Sequence, residues 1–226
     1  MTRLLLALLL AASLPAAANE TVTICYDYGC AAQADIVYGE AQLREIAALL
    51  AQAESPAAER ALLAQAVGRL LGWAGEQSPV KNDRGGNYAD DGVDGRMDCI
   101  DHSTSTTRLL RMLEGRGLLN WHRVLEPRRR VRVVLFQHFS AVIEELPRPR
   151  RSSPAPVVAV PDHVPMMLAL CNCQEVVEDV PRPPVIPAPA GRGEQFVVDS
   201  WFVDNGQPAV ILPLAAWLDA EGASVE

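Results

Sequence analysis

The stretch GRMDCIDHSTSTTRLLRMLEGRGLL, residues 95–119, decides how the rest of the chain is read. Asp98 stands where a helix N-cap belongs, Cys99 opens the helix, and Asp101 follows the cap by three residues, a capping box with Asp in place of Glu. From Cys99 to Glu114 the spacing predicts a helix with Ile100, Ser103, Thr107, Leu110 and Leu113 on one face, stopped by Gly115 and Gly117. The hydroxyl run from Ser103 to Thr107 is poor in helix propensity, so packing must hold this helix, which makes it central and buried. A thiol in the first turn faces unpaired N–H groups and the positive end of the helix dipole, which favour the thiolate; the flanking carboxylates oppose it.

Working outward, Leu43, Ile46, Ala47 and Leu50 predict an amphipathic helix over residues 40–53. Ser55-Pro56 reads as an N-cap and first helical position, opening a helix to about Ala74 that Gly75 closes. Residues 76–96, rich in Gly, Asp and Asn, read as loop. VRVVLFQHFSAVIEE (131–145) reads as one or two strands and EQFVVDSWFV (194–203) as another. Between them, residues 146–193 hold eleven of the seventeen prolines, which bars most of the segment from regular sheet and marks it as a long insertion. Helices followed by strands predict an α+β fold.

Residues 1–18 carry the signature of a secretory leader: Arg3, the apolar run Leu4 to Ala12, and small residues ending at Ala18, after which cleavage is expected. The apolar run is far short of the ~20 residues that span a bilayer. The mature protein, residues 19–226, is therefore expected as a single domain, periplasmic or secreted, with no stable membrane insertion. The net charge of −8 becomes more negative by one without Arg3 and argues against a nucleic-acid partner. Basic clusters at Arg123–Arg132 and Arg148–Arg151 read as a solvated edge or loop.

Of the five cysteines, Cys25 and Cys30 (CYDYGC) and Cys171 and Cys173 (CNC) lie in loop-like surroundings. They allow two disulfides in any of three connectivities, which leaves Cys99 as the odd thiol. A nucleophilic thiolate needs a base, and the base an orienting partner. If the segments around His138 and Asp199 pair as neighbouring antiparallel strands, the two side chains stand side by side and can complete a Cys-His-Asp triad with Cys99.

Residues 95–145 and 194–204 resemble the transglutaminase-like superfamily of papain-type cysteine enzymes. MDCIDHSTSTTRLLRMLEGRGL resembles its nucleophile helix, QHFSAVIEE its histidine strand, and EQFVVDSWF its aspartate strand. The Asp-Cys-x-Asp helix start is similar to that of bacterial periplasmic transglutaminase-like cysteine peptidases. The resemblance implies a papain-like core, with N-terminal helices and the nucleophile helix packed on an antiparallel sheet. It also implies that Cys99 is nucleophile, His138 general base and Asp199 its orienter, acting on a protein or peptide substrate. Ile100 stands where those peptidases often carry a calcium-linked acidic residue, a departure that counts against a calcium site; no metal and no other cofactor is expected. The Cys99 N–H is a candidate oxyanion donor, with Asn82 or Asn87 as a second.

Other readings compete. Cys99 and His102, three apart on one helix, are conceivable as a zinc half-site completed by His163, Cys171 and Cys173. Asp90, Asp91, Asp94 and Asp98 resemble a calcium loop in composition only, since the EF-hand spacing is missing. Trp73, Trp121, Trp201 and Trp217 read as packing residues. The non-enzymatic alternative is a secreted binding or scaffold domain of the same fold with an inert Cys99.

Overall fold

A computed structural model of the chain describes residues 19–86, 90, 92–132, 136–147 and 193–219. The residues read as leader, almost all of the proline-rich insertion, and Cys171, Cys173, His163, Asn87, Asp91 and Arg148–Arg151 lie outside them. The described elements form an α+β arrangement with two antiparallel sheets.

The expected order of helices before strands is corrected at the start of the chain. There β1 (Glu20–Tyr26) and β2 (Ala32–Tyr38) form a hairpin, with Val22 opposite Ile36 and Ile24 opposite Ala34. Val22, Ile24, Ile36 and Tyr38 are buried at period-2 positions, the alternation of a strand with one face on a core. Cys25 and Cys30 are joined by a disulfide across the intervening turn.

Helix α1 (Glu40–Leu50) buries Leu43, Ile46, Leu49 and Leu50. Helix α2 (Pro56–Gln77) opens as expected, the Ser55 hydroxyl accepting from the Ala58 N–H at 3.1 Å with Pro56 in the first turn. Gly75, expected to close it, instead lies inside it on a buried face. A Cβ there would come within 2.7 Å of the Asn205 side chain and 3.1 Å of Lys81 Cα, so the glycine serves close packing. Extended Ser78 and Pro79 end the helix, and a short 3-10 turn (Pro79–Asn82) occupies part of the expected loop.

Helix α3 (Cys99–Gly115) is central, packed between β1 and the second sheet. Its burial is wider than the single stripe expected, because Asp101, His102, Ser105, Thr106 and Leu109 are buried as well. Small hydroxyls let backbone approach from both sides: Ser105 Oγ accepts from the Cys25 N–H at 2.9 Å, and Thr106 Oγ1 bonds Ser200 Oγ at 2.9 Å. The helix ends where Gly117 takes φ +69°, left-handed backbone that glycine adopts at least cost.

The second sheet runs β3 (His122–Arg132), β4 (Phe136–Glu145), β5 (Gln195–Asp199) and β6 (Val210–Pro213), in that spatial order and antiparallel throughout. The basic segment from Arg123 is thus part of an edge strand, and Pro127 falls at a register shift between Leu125 and Arg128, where its missing N–H costs no ladder bond. The strand expected over 194–203 ends at Asp199, because the Trp201 N–H turns back to Asp199 Oδ1 at 3.3 Å. Alternate residues face opposite ways. Ala141, Ile143, Phe196 and Val198 join the helices and hairpin in the main core, while Val142 and Val197 pack with Trp217 from α4 (Leu214–Leu218). No helix among the described residues is long and apolar enough to cross a membrane.

Candidate active site

The site grows from the unequal lengths of β4 and β5. Pairing between them runs from Glu144↔Gln195 to Ala141↔Val198, and β4 continues beyond it through His138. His138 and Asp199 lie diagonally across the two strands, a separation long side chains can bridge, and His138 Nε2 meets Asp199 Oδ2 at 2.7 Å. The Cys99 sulfur lies beside the overhanging length of β4, 4.0 Å from the Gln137 carbonyl oxygen, and takes a hydrogen bond from the Phe139 N–H. The sulfur therefore contacts the backbone on both sides of His138. His138 and Asp199 thus pair at one end of the sheet, with the Cys99 sulfur against the backbone of the strand that carries His138.

Asp199 is buried and receives three donors. Oδ2 accepts from the Trp217 indole N–H at 3.1 Å as well as facing His138, and Oδ1 accepts from the Trp201 N–H. Indole and backbone N–H groups only donate, so the carboxylate acts as acceptor at both oxygens. In the neutral ring this places the proton on His138 Nε2 and the lone pair on Nδ1. Three aromatic rings surround the imidazole, with centroids at 5.0 Å (Trp201), 5.4 Å (Phe202) and 5.8 Å (Trp217). The Arg130 guanidinium lies over the Trp217 ring, 4.7 Å from its centroid. Sequence reading had assigned Trp201 and Trp217 to packing alone; the placement of Trp201 two residues after Asp199 was the available signal.

The Cys99 thiol is half-buried, and its pKa is raised above the ordinary thiol value. Burial is the largest cause, and the charges of Asp98 and Asp199 add to it against the Phe139 and Cys99 N–H groups, which lower it. The helix start thus does not by itself hold a thiolate.

Asp98 and Asp101 complete the capping box predicted for them: Asp98 Oδ1 accepts from the Ile100 and Asp101 N–H groups at 2.9 Å each, and Asp101 Oδ2 from the Asp98 N–H at 3.1 Å. They also hold the hairpin turn. Asp27, Tyr28, Gly29 and Cys30 all have φ between +62° and +66°. Three of the four carry side chains, for which left-handed backbone costs roughly 1–2 kcal/mol per residue. The turn directs the Tyr28 and Cys30 N–H groups to Asp101 at 2.8 and 2.5 Å and the Gly29 N–H to Asp98 at 3.0 Å. Disulfide and carboxylates together hold this conformation against the first turn of α3, which carries Cys99.

Burial, and next the neighbouring Asp98 charge, push the Asp101 carboxyl up to about 6, against three backbone donors that pull it down. A carboxyl raised in the folded state favours folding below its unfolded value of 3.8, and that contribution is lost as pH rises through about 6. Denaturation of wild type and Asp101→Asn at pH 4.5 and 7 should show the wild type losing stability relative to the variant at the higher pH. A pH-independent difference would contradict this assignment.

The remaining sequence candidates separate. Of the conceivable zinc ligands, His163, Cys171 and Cys173 lie outside the described residues, and His102 is buried, with Nδ1 2.8 Å from Ser200 Oγ and Nε2 facing Asp83 Oδ2 at 3.0 Å. Cys25, Cys30 and Asp101 cluster within 4.8 Å, but the two sulfurs are bonded to each other and Asp101 accepts backbone N–H groups, so they fit no metal. Asn82 directs its amide to the Asp94 carbonyl at 3.0 Å rather than towards Cys99. Asp90 lies 2.9 Å from Arg96 Nε, in keeping with turn chemistry for the acidic loop. No protein-family model, no curated protein and no solved structure matches this chain.

Proposed function

We propose that the chain is an exported cysteine-dependent amide hydrolase or acyl transferase, most simply a peptidase, built on a papain-like core of the transglutaminase-like type. The observation that carries this reading is the 2.7 Å His138–Asp199 contact with the Cys99 sulfur set against the Gln137 and Phe139 backbone on either side of that histidine. Export is supported by the leader pattern of residues 1–18 and by the Cys25–Cys30 disulfide, a bond that persists in oxidising compartments.

In this reading His138 Nδ1 takes the thiol proton as the sulfur attacks a substrate carbonyl carbon, forming the C–S bond. The proton passes to the leaving amine as the C–N bond breaks, giving a thioester. Water, activated by the same nitrogen, attacks the thioester and regenerates the thiol; an amine in place of water gives acyl transfer. Asp199 holds the ring in the working tautomer, and the aromatic rings around His138 exclude water, which strengthens its interaction with the carboxylate. The Cys99 N–H, in the first turn of α3 where helical donors lack helical acceptors, is the nearest source of an oxyanion donor.

The raised thiol pKa also suits the scaffold alternative, in which Cys99 stays protonated and inert. Alkylation with iodoacetamide at pH 7 separates the two. Selective modification of Cys99, slowed at least roughly tenfold by His138→Ala, is the expected result, since a positioned base contributes ~10²–10⁴-fold. An unreactive Cys99 in folded wild type would leave the scaffold reading.

A further inference from the structure

We propose that His102, clamped between Asp83 and Ser200 beneath the site, is a positioning residue that fixes the nucleophile helix in register with the Asp199 turn. This inference rests on the triad reading of Cys99, His138 and Asp199.

His102 is 3% exposed and lies one helical turn after Cys99, on the buried side of α3. Its Nδ1 meets Ser200 Oγ at 2.8 Å, and Ser200 is the residue directly after Asp199. Thr106, one turn further along α3, holds the same hydroxyl at 2.9 Å. Two successive turns of the helix thus grip one side chain at the end of β5. From the other side, Asp83 Oδ2 faces His102 Nε2 at 3.0 Å, off the line of a good hydrogen bond, and neither atom has another partner among the described residues. Asp83 Oδ1 accepts from the Met97 N–H at 3.0 Å, just before the helix cap.

The segment bearing Asp83 is itself fastened to the turn after Ser200. The Gly85 N–H donates to Asp204 Oδ1 at 3.0 Å, the Gly86 N–H to the Trp201 carbonyl at 2.8 Å, and the Asn205 N–H to the Asp83 carbonyl at 3.4 Å. This turn carries Trp201 and Phe202, whose rings flank His138, and the Trp201 N–H that holds Asp199. His102 is the side chain that both Asp83 and Ser200 reach, so it joins the helix that places the sulfur to the turn that places the carboxylate and the imidazole. A buried Asp-His-Ser chain would itself suggest a nucleophile, but Ser200 is 2% exposed and held by two partners, so it cannot meet a substrate. A shift of about 1 Å between nucleophile and base costs roughly 10²-fold in rate, which sets the scale of the contribution.

The test is the pH profile of Cys99 alkylation by iodoacetamide in the full chain. Ser200→Ala should lose the reactivity at neutral pH that depends on His138, by about 10- to 100-fold, keeping only the alkaline limb. Ser200→Thr, which retains the hydroxyl, should restore it. Ser200→Ala combined with His138→Ala should be no slower than His138→Ala alone, since the hydroxyl acts through that histidine. A merely structural role would lower the melting temperature and leave the profile of the folded protein unchanged. If Ser200→Ala does not fold, Asp83→Asn makes the same measurement, because it leaves the carboxylate's shape but puts an amide against His102. A wild-type profile in these variants, with His138→Ala still deficient, overturns the positioning role alone. A wild-type profile in His138→Ala overturns the triad reading beneath it.

Discussion

Replacing Asp199 by Asn is expected to lower turnover of an activated ester such as p-nitrophenyl acetate about 10³-fold or more, with the fold intact. The carboxylate accepts from His138 Nε2, the Trp217 indole and the Trp201 N–H through its two oxygens. An amide offers one acceptor and one donor. With its nitrogen towards His138 it donates to Nε2, which shifts the ring proton to Nδ1 and removes the lone pair that receives the thiol proton in the proposed mechanism. With its nitrogen towards Trp201 it sets two donors against each other in a buried position. In triads of the Ser-His-Asp kind the loss from such a tautomer error is ~10⁴-fold in kcat. Release of p-nitrophenolate, followed by absorbance with circular dichroism as a check on folding, makes the comparison; a loss below tenfold would remove Asp199 from the mechanism.

The second large effect concerns stability and lies away from the site. Glu59, fully buried at the start of α2, accepts from the Asn120 N–H at 2.6 Å, from the Trp121 N–H at 3.0 Å and from His122 Nδ1 at 2.6 Å. His122 Nε2 faces Arg60 Nη1 at 3.3 Å, and because arginine only donates, the histidine is the neutral Nδ1–H tautomer. Arg60 continues the chain to Glu145 at 3.0 Å and lies 3.8 Å above the Phe196 ring, so α2 is tied to β3 through the Glu59 carboxylate and to β4 and β5 through Arg60. Glu59→Ala strands three buried donors, each worth about 1–3 kcal/mol when left without an acceptor. The expected loss is about 3–5 kcal/mol, a large part of the 5–15 kcal/mol that stabilises a typical domain. Glu59→Gln, which keeps one acceptor, should lose less. Urea denaturation at constant m-value reads both, and a loss below about 1 kcal/mol for Glu59→Ala would show that the donors find other partners.

What could be read before folding followed from how local each signal is. The cap at Asp98, the box with Asp101 and the glycine stop are written within one helix, and all three stand in the structure. His138 and Asp199 could be named because each lies within a strand of clear apolar pattern, and pairing those strands sufficed to bring them together. The hairpin β1–β2 was missed because CYDYGC suggested only a turn, and nothing in it shows that Tyr28 and Cys30 adopt left-handed backbone to reach Asp98 and Asp101. Strand β3 was hidden by its arginines and by Pro127, which an edge strand with a bulge tolerates. The Asp83–His102–Ser200 contacts and the Trp217 bond to Asp199 join residues 19, 98 and 18 positions apart, and no single local pattern encodes them.

The proposed chemistry requires the Cys99 sulfur and the His138 imidazole to form one unit. The reagent 1,3-dibromoacetone carries two electrophilic carbons on either side of a carbonyl, and can alkylate a thiol and then a neighbouring ring nitrogen with loss of two bromides. Treatment of the folded protein, followed by proteolysis and mass spectrometry, should yield the Cys99 and His138 peptides joined through the three-carbon bridge. A singly alkylated Cys99, or a bridge from Cys99 to some other residue, would contradict it.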